Sequence, residues 1–374
     1  MEQTYNLTEG NIKKQLIYLS IPLLIGSIFQ QFYNTIDSII VGKYVGHDAF
    51  AAIGIAGTVM HLFIFIIIGC CAGISIITAQ LYGEKNYDAM RNEIFLIISI
   101  VMNVILDLLL IKNFSMGIRG AALATVISQL LSAFLCYLYI IYKIPILKVK
   151  KSDMKYNSNL VKQTCQYSFV SALHQSSLYI GKLLVQGAVN SLGVDAISAY
   201  TATGRIEDVI LAFGNSGSEA TSIFIAQNTG AKNYKRVLKG FKNAMILIQL
   251  VCISMILFLF FRSDILLNFF VFDEGKSVLN YGVQYFRIIS LFYVASLIGS
   301  IFVGYYRGTG HVNIPVIGTT LQLSIRVVLS YLLVGSMGLG GVALATGVGW
   351  IGIITFQTSV FIKNKYYKIE DINN

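Results

Sequence analysis

The sequence predicts an all-α, polytopic membrane protein, and two observations carry that expectation. Of 374 residues, 55% are hydrophobic and only 12% charged, with a mean hydropathy of +0.69; soluble domains carry about a quarter charged residues. The apolar residues are also gathered into runs of about 18 or more, the length a helix needs to cross a ~30 Å hydrocarbon layer. Residues 94–111, "IFLIISIVMNVILDLLLI", are such a run. Three prolines and continuous Ile/Leu/Phe stretches exclude the weak ten-residue alternation of a membrane barrel.

Ten spans follow in order, at about 16–42, 50–80, 94–111, 119–142, 166–190, 197–227, 244–261, 286–305, 314–335 and 340–362. The first begins near Leu16 and is too long for a signal peptide, so it is expected to remain as an anchor. Alternate connections are basic: Lys13 and Lys14, then Lys85 and Arg91, then Lys143 to Lys162, then Lys232 to Lys239, with Lys363, Lys365 and Lys368 in the tail. The positive-inside rule therefore places both termini in the cytoplasm of a multi-pass cell-membrane protein. It also accounts for the net charge of +10 as topology, not as a nucleic-acid face. The five cysteines sit in apolar runs without metal-ligand spacing and read as small buried hydrophobes.

The longest polar stretch divides the chain into an N-terminal lobe (1–143), a cytoplasmic linker (144–165) and a C-terminal lobe (166–374). The halves repeat each other. "VGHDAF" at 45–50 matches "LGVDAI" at 192–197, and "AQLYGEKNY" at 79–87 matches "AQNTGAKNY" at 226–234, both at an offset of 147. "MGIRGAALAT" at 116–125 matches "MGLGGVALAT" at 337–346 at an offset of 221. The offsets differ by 74, so the first half lacks 74 residues that in the second half hold two spans. The join is expected between Arg91 and Ser99.

Ionised side chains in hydrocarbon are costly and mark ion or substrate paths. Asp37 lies near one end of the first span, Asp107 near the matching end of the third, and Thr125 at similar depth in the fourth. Asn103 and Asp107 are four residues apart and share a helix face, as do Tyr33 and Asp37. This oxygen-rich set suits a hard cation, or a carboxylate that carries a proton. Asn103, Thr125 and Tyr33 taken alone read equally well as interhelical hydrogen-bonding groups. In the second half Glu219 is a secondary candidate, with Lys182 expected to pair with it, and Arg326 is expected to be structural. His61 and His174 are expected to be packing residues. The glycines at 117–120 and 338–341 are read as helix-packing residues, since neither pair follows a strand.

Taken with "YNTIDSIIVGKYVG", "LLVQGAVNSLG" and "YYRGTGHVNIPV", these motifs resemble the multidrug and toxic compound extrusion (MATE) transporters along nearly the whole chain. The resemblance implies twelve spans in two six-helix lobes, of which this chain would keep ten, as a four-helix lobe and a six-helix lobe. It implies no enzyme activity and no cofactor. The implied function is antiport of cationic or amphipathic small molecules against Na⁺ or H⁺, by a monomer whose other partners are membrane lipids. It also implies that Asp37, Asn103, Asp107, Thr125 and neighbouring Tyr33 hold the coupling cation. Three rival readings remain: a lipid-linked oligosaccharide flippase of the same superfamily, an inactive remnant, and an intramembrane aspartyl protease. The protease reading lacks a "GxGD" context.

Overall fold

The computed structural model describes residues 7–44, 158–268 and 276–373. They form helices α1 (Ile12–Tyr44), α2 (Ser158–Asn190), α3 (Val194–Gly230), α4 (Tyr234–Asn268) and α5 (Lys276–Ile289). A 3₁₀ turn at Ser290–Phe292 then leads to α6 (Tyr293–Gly308), α7 (Asn313–Met337) and α8 (Leu339–Asn373). Seven of the ten expected spans correspond to these elements; those at 50–80, 94–111 and 119–142 lie outside the described residues. Six helical stretches among the described residues are long and apolar enough to cross a membrane, with α5, the 3₁₀ turn and α6 forming one of them. α2 is as long as α1 but is not one of the six, because Gln, Ser, His and Lys dilute its apolar run. α2 also starts at Ser158, so the tail of the expected 144–165 linker is already helix.

Residues 7–16 and 166–374 belong to one compact unit, and α1 from Ile17 onward to the other. Within the first of these, α3 packs chiefly on α6 and α7 on α8. The outward faces of α4 and α7 stay apolar: Leu250, Leu257 and Phe261 are exposed, as are Leu321, Val328 and Leu332. Both triplets follow the spacing i, i+7, i+11, one stripe of a helix. In water such a stripe would be a liability; on a membrane helix it is the lipid face.

The turns have local causes. Gly193 between α2 and α3 has φ 91° and Gly338 between α7 and α8 has φ 56°, a region where a Cβ is strained. Asn233 caps α4, its side-chain oxygen accepting from the Arg236 backbone N–H at 3.2 Å, as a helix start requires. Arg236 then reaches the N-terminal segment. Its guanidinium donates to the Leu7, Glu9 and Gly10 carbonyls at 2.8–2.9 Å and to Gln15 Oε1 at 2.7 Å. Asn228 adds a bond to the Leu7 carbonyl at 3.1 Å.

The α3–α6 contact depends on small residues. A Cβ at Gly304 would collide with the Ser218 carbonyl, and one at Gly308 would meet the Ser222 carbonyl at 2.7 Å and Ile225 Cβ at 2.8 Å. Both pairs step by four residues, so a glycine-x-x-x-glycine face lies directly on the α3 backbone, as in close membrane helix packing. Gly304→Val is therefore expected to cost several kcal/mol, as overpacking against rigid backbone does, and to lower folded yield and thermal midpoint in detergent. Gly335, which has open space for a Cβ, supplies the contrast. Gly335→Ala should be neutral or stabilising by up to about 1 kcal/mol.

Candidate functional site

α3 has 37 residues, about 55 Å at 1.5 Å per residue, so it outspans the hydrocarbon layer. Its deep carboxylates are Glu207, Asp208 and Glu219. Measured along the axis, Glu207 and Glu219 lie about 8 and 11 Å on opposite sides of the helix midpoint, within a stretch long and apolar enough to cross a membrane; Glu207 is buried and Glu219 partly exposed. Each carboxylate meets a different solution.

Glu219 is held by a cation. Arg307 of α6 donates to its Oε1 at 2.9 Å, and the other guanidinium nitrogen contacts His174 Nδ1 of α2 at 3.1 Å. The Arg307 side chain is 7% exposed and that of Glu219 38%, so the pair is buried at its basic end. The glycine seats at 304 and 308 bring α6 near enough for this, since Arg307 sits between them. Asp208 is also paired, with Lys182 Nζ of α2 at 3.1 Å. The expected Lys182–Glu219 pair is therefore incorrect. Positions 208 and 219 are about 16 Å apart along the axis, and Lys182 lies level with the first.

Glu207 is held by neutral donors. Tyr285 of α5 donates to Oε2 at 3.1 Å and Tyr293 of α6 to Oε1 at 3.0 Å. The residue is 8% exposed, and Tyr285 and Tyr293 are fully enclosed. Tyr200, seven residues earlier on the same face of α3, stands edge-on to Tyr285 with ring centroids 6.0 Å apart, and accepts from Arg326 of α7 at 3.2 Å. Tyr293 in turn packs on Trp350 of α8, centroids 5.5 Å apart. Arg326 is thus part of this network and His174 part of the Arg307 cluster; neither is isolated.

Of the residues expected to hold a cation, Tyr33 and Asp37 lie one turn apart on α1, and their side chains lie outside the description. Asn103, Asp107, Thr125 and His61 lie outside the described residues.

The MatE family model matches residues 22–114 and 170–332. The chain belongs to that family. Its first match spans 93 residues and its second 163, a difference of 70, close to the 74 given by the repeat offsets. Two relatives are the probable multidrug resistance protein YpnP of Bacillus subtilis (strain 168), 20% identical over 93% of this chain and 94% of its own, and the probable multidrug resistance protein NorM of Thermotoga maritima, 21% identical over 96% and 94%. The YpnP alignment runs over 425 positions, more than this chain possesses, so gaps must open within the shorter chain. Among solved structures, an outward-facing multidrug resistance MATE family transporter of the MOP superfamily matches with a TM-score of 0.88, at 18% identity, over 98% of this chain and 99% of its own. A MOP superfamily transporter from Pyrococcus furiosus, described as having a binding pocket of reversed polarity, gives 0.86 at 18% identity over 98% and 99%. The structural likenesses establish the fold, a multi-pass helical bundle; the family match makes the chain a member of a transporter family, not an enzyme.

Sequence reasoning missed Glu207, Asp208 and Arg307 as members of a MATE bundle's buried network. "RIED" at 205–208 falls inside the expected span 197–227, where the cost of an intramembrane charge already marks Glu207 and Asp208 as candidates. A second signal was the spacing of aromatic hydroxyls: Tyr200 falls seven residues before Glu207, and Tyr285 eight before Tyr293, on segments that must face one another.

The Glu219–Arg307 pair generates a prediction. Removing one partner of a buried pair costs about 3–5 kcal/mol, whereas replacing both by apolar groups is often neutral. Glu219→Gln should destabilise toward the lower end of that range, because Glu219 is the more exposed partner, and Glu219→Leu with Arg307→Met should recover most of the loss. Thermal unfolding in detergent reads both outcomes.

Proposed function

We propose that this chain is a secondary active exporter of cationic or amphipathic compounds, driven by antiport of Na⁺ or H⁺. In this reading it is a monomer in the cell membrane, with both termini cytoplasmic and its partners the transported small molecules and surrounding lipids. The observation that carries the reading is the match of both halves of the chain to one transporter family. Relatives named for multidrug resistance support the substrate class. The domain layout that goes with it is an N-terminal lobe at 1–143, a linker at 144–165 and a C-terminal lobe at 166–374. The coupling cation is assigned to Asp37, Asn103, Asp107 and Thr125 with Tyr33 adjacent, since two carboxylates among amide, hydroxyl and phenol oxygens make a hard-cation or proton site.

The flippase reading calls for cationic groups free to meet a pyrophosphate. In the described C-terminal bundle Lys182 and Arg307 are neutralised by Asp208 and Glu219, and Arg326 is engaged with Tyr200. Arg205 of α3 and Arg287 of α5 are exposed and make no ion pair among the described residues, so the exporter reading rests on the family match and not on this charge balance.

The first lobe, two spans short, is a weak partner for the rigid-body rocking that alternating access needs. Ion-dependent dye efflux from an efflux-deficient host should therefore be weak but measurable, and Asp37→Asn should reduce it to the level of cells without the protein. Inserting a 74-residue helix pair between Arg91 and Ser99 should raise it. Asp37→Asn with unchanged ion-dependent efflux would remove the site assignment. Loss of a membrane-substrate cleavage in that variant would replace the exporter with a protease.

A further inference from the structure

The span Ser277–Gly308 is not one continuous α-helix. It is interrupted by the 3₁₀ turn Ser290–Phe292, and Tyr285 and Tyr293 stand on either side of that interruption. Both donate to the same carboxylate, one to each oxygen. Glu207 is therefore the clasp across the break. Short 3₁₀ segments inside helices mark hinges, and broken helices line the ion sites of secondary transporters.

The chemistry of the clasp differs from that of its neighbours on α3. Asp208 and Glu219 are tied to cations, so neutralising either would break an ion pair. Glu207 has no ion pair among the described residues and is the most enclosed of the three. A proton can join it without rupturing a salt bridge. The groups that face it are Lys182 from α2, Tyr200 from α3 itself, Tyr285 from α5, Tyr293 from α6 and Arg326 from α7; Asp208, the next residue of α3, is turned to Lys182.

We propose that Glu207 is a proton-binding coupling group of the C-terminal bundle, which grips both sides of the Ser290–Phe292 break when ionised and loosens them when protonated. In the ionised state two phenol O–H groups donate to two carboxylate oxygens. A proton arriving from water adds to one of those oxygens and turns it from acceptor into donor. The phenol facing it must then rotate its O–H away and accept, and the bundle loses one negative charge beside Lys182 and Arg326. No covalent bond other than O–H forms or breaks. The proposal rests on the antiport reading and adds a second place at which the driving ion acts.

The test uses the chain's single tryptophan, Trp350, which packs directly on Tyr293. Purified full-length protein in lipid nanodiscs is titrated with acid while Trp350 emission is recorded. The expected result is a reversible, single-midpoint emission shift in the wild type. It should be lost in Glu207→Gln, retained in His174→Gln, and moved in midpoint by Tyr293→Phe, which removes one donor while keeping the carboxylate. A shift that survives in a folded Glu207→Gln protein overturns the proposal, as does a wild type with no shift. If Glu207→Gln does not fold, an unmoved midpoint in Tyr293→Phe overturns it instead. The antiport reading fails on a separate measurement: wild-type proteoliposomes that show no ion-driven efflux.

Discussion

A carboxylate inside hydrocarbon must be met by something, because the layer offers no water. The C-terminal bundle is arranged around that constraint. α3 carries Glu207, Asp208 and Glu219 within one membrane-length apolar span, and its neighbours supply a partner for each. α2 gives Lys182 and His174, α5 and α6 give Tyr285, Tyr293 and Arg307, and α7 gives Arg326 to the edge of the network. None of these groups could be placed by hydrophobic patterning alone. They are held in register by the glycine seats of α6 on α3, which fix the sliding position of the two helices relative to one another.

The same arrangement gives the bundle two kinds of polar contact. Ion pairs such as Arg307–Glu219 are stiff, since separating them leaves a charge in the wrong medium. Phenol–carboxylate contacts around Glu207 are neutral on one side and can exchange donor for acceptor at small cost. Their position across a helix interruption, with a large indole packed at a tilt against Tyr293, puts the adaptable contact where the backbone can bend. The rigid contact lies where α6 is pressed most tightly against α3.

Much of this was legible in the sequence, and the reason lies in turn chemistry. The motifs that repeat between the halves fall, in the described half, at interhelical turns: "LGVDAI" holds Gly193, "AQNTGAKNY" holds Lys232 and Asn233, and "MGLGGVALAT" holds Gly338. Positive φ at Gly193, Lys232 and Gly338 and a capping side chain at Asn233 leave few acceptable residues, so the pattern stands out in both copies. Span order followed from apolar run length, with α4 showing one refinement. Its backbone departs from helix at Arg262, φ −135°, directly after the apolar run expected to end at 261. Pairing was not legible. Lys182 and Glu219 share a bundle, but which carboxylate a lysine reaches depends on axial offset between helices, and hydrophobic periodicity carries no record of that offset. Glu207 lay inside the expected span 197–227, but with Arg205 and Asp208 beside it the sequence does not say which of the charges is enclosed and which is paired.

The grip of Arg236 on the N-terminal segment has a consequence for biogenesis. Its guanidinium bonds to the carbonyl of Leu7 across 229 residues of sequence. At about 5–20 residues synthesised per second, roughly 10–50 s separate the emergence of the two partners. During that interval the Leu7 carbonyl must be satisfied by water or a chaperone, and α1 inserts without its final anchor. Docking of residues 7–10 is therefore a late event in maturation, a checkpoint that a nascent chain reaches only after α3 and the start of α4 have been made.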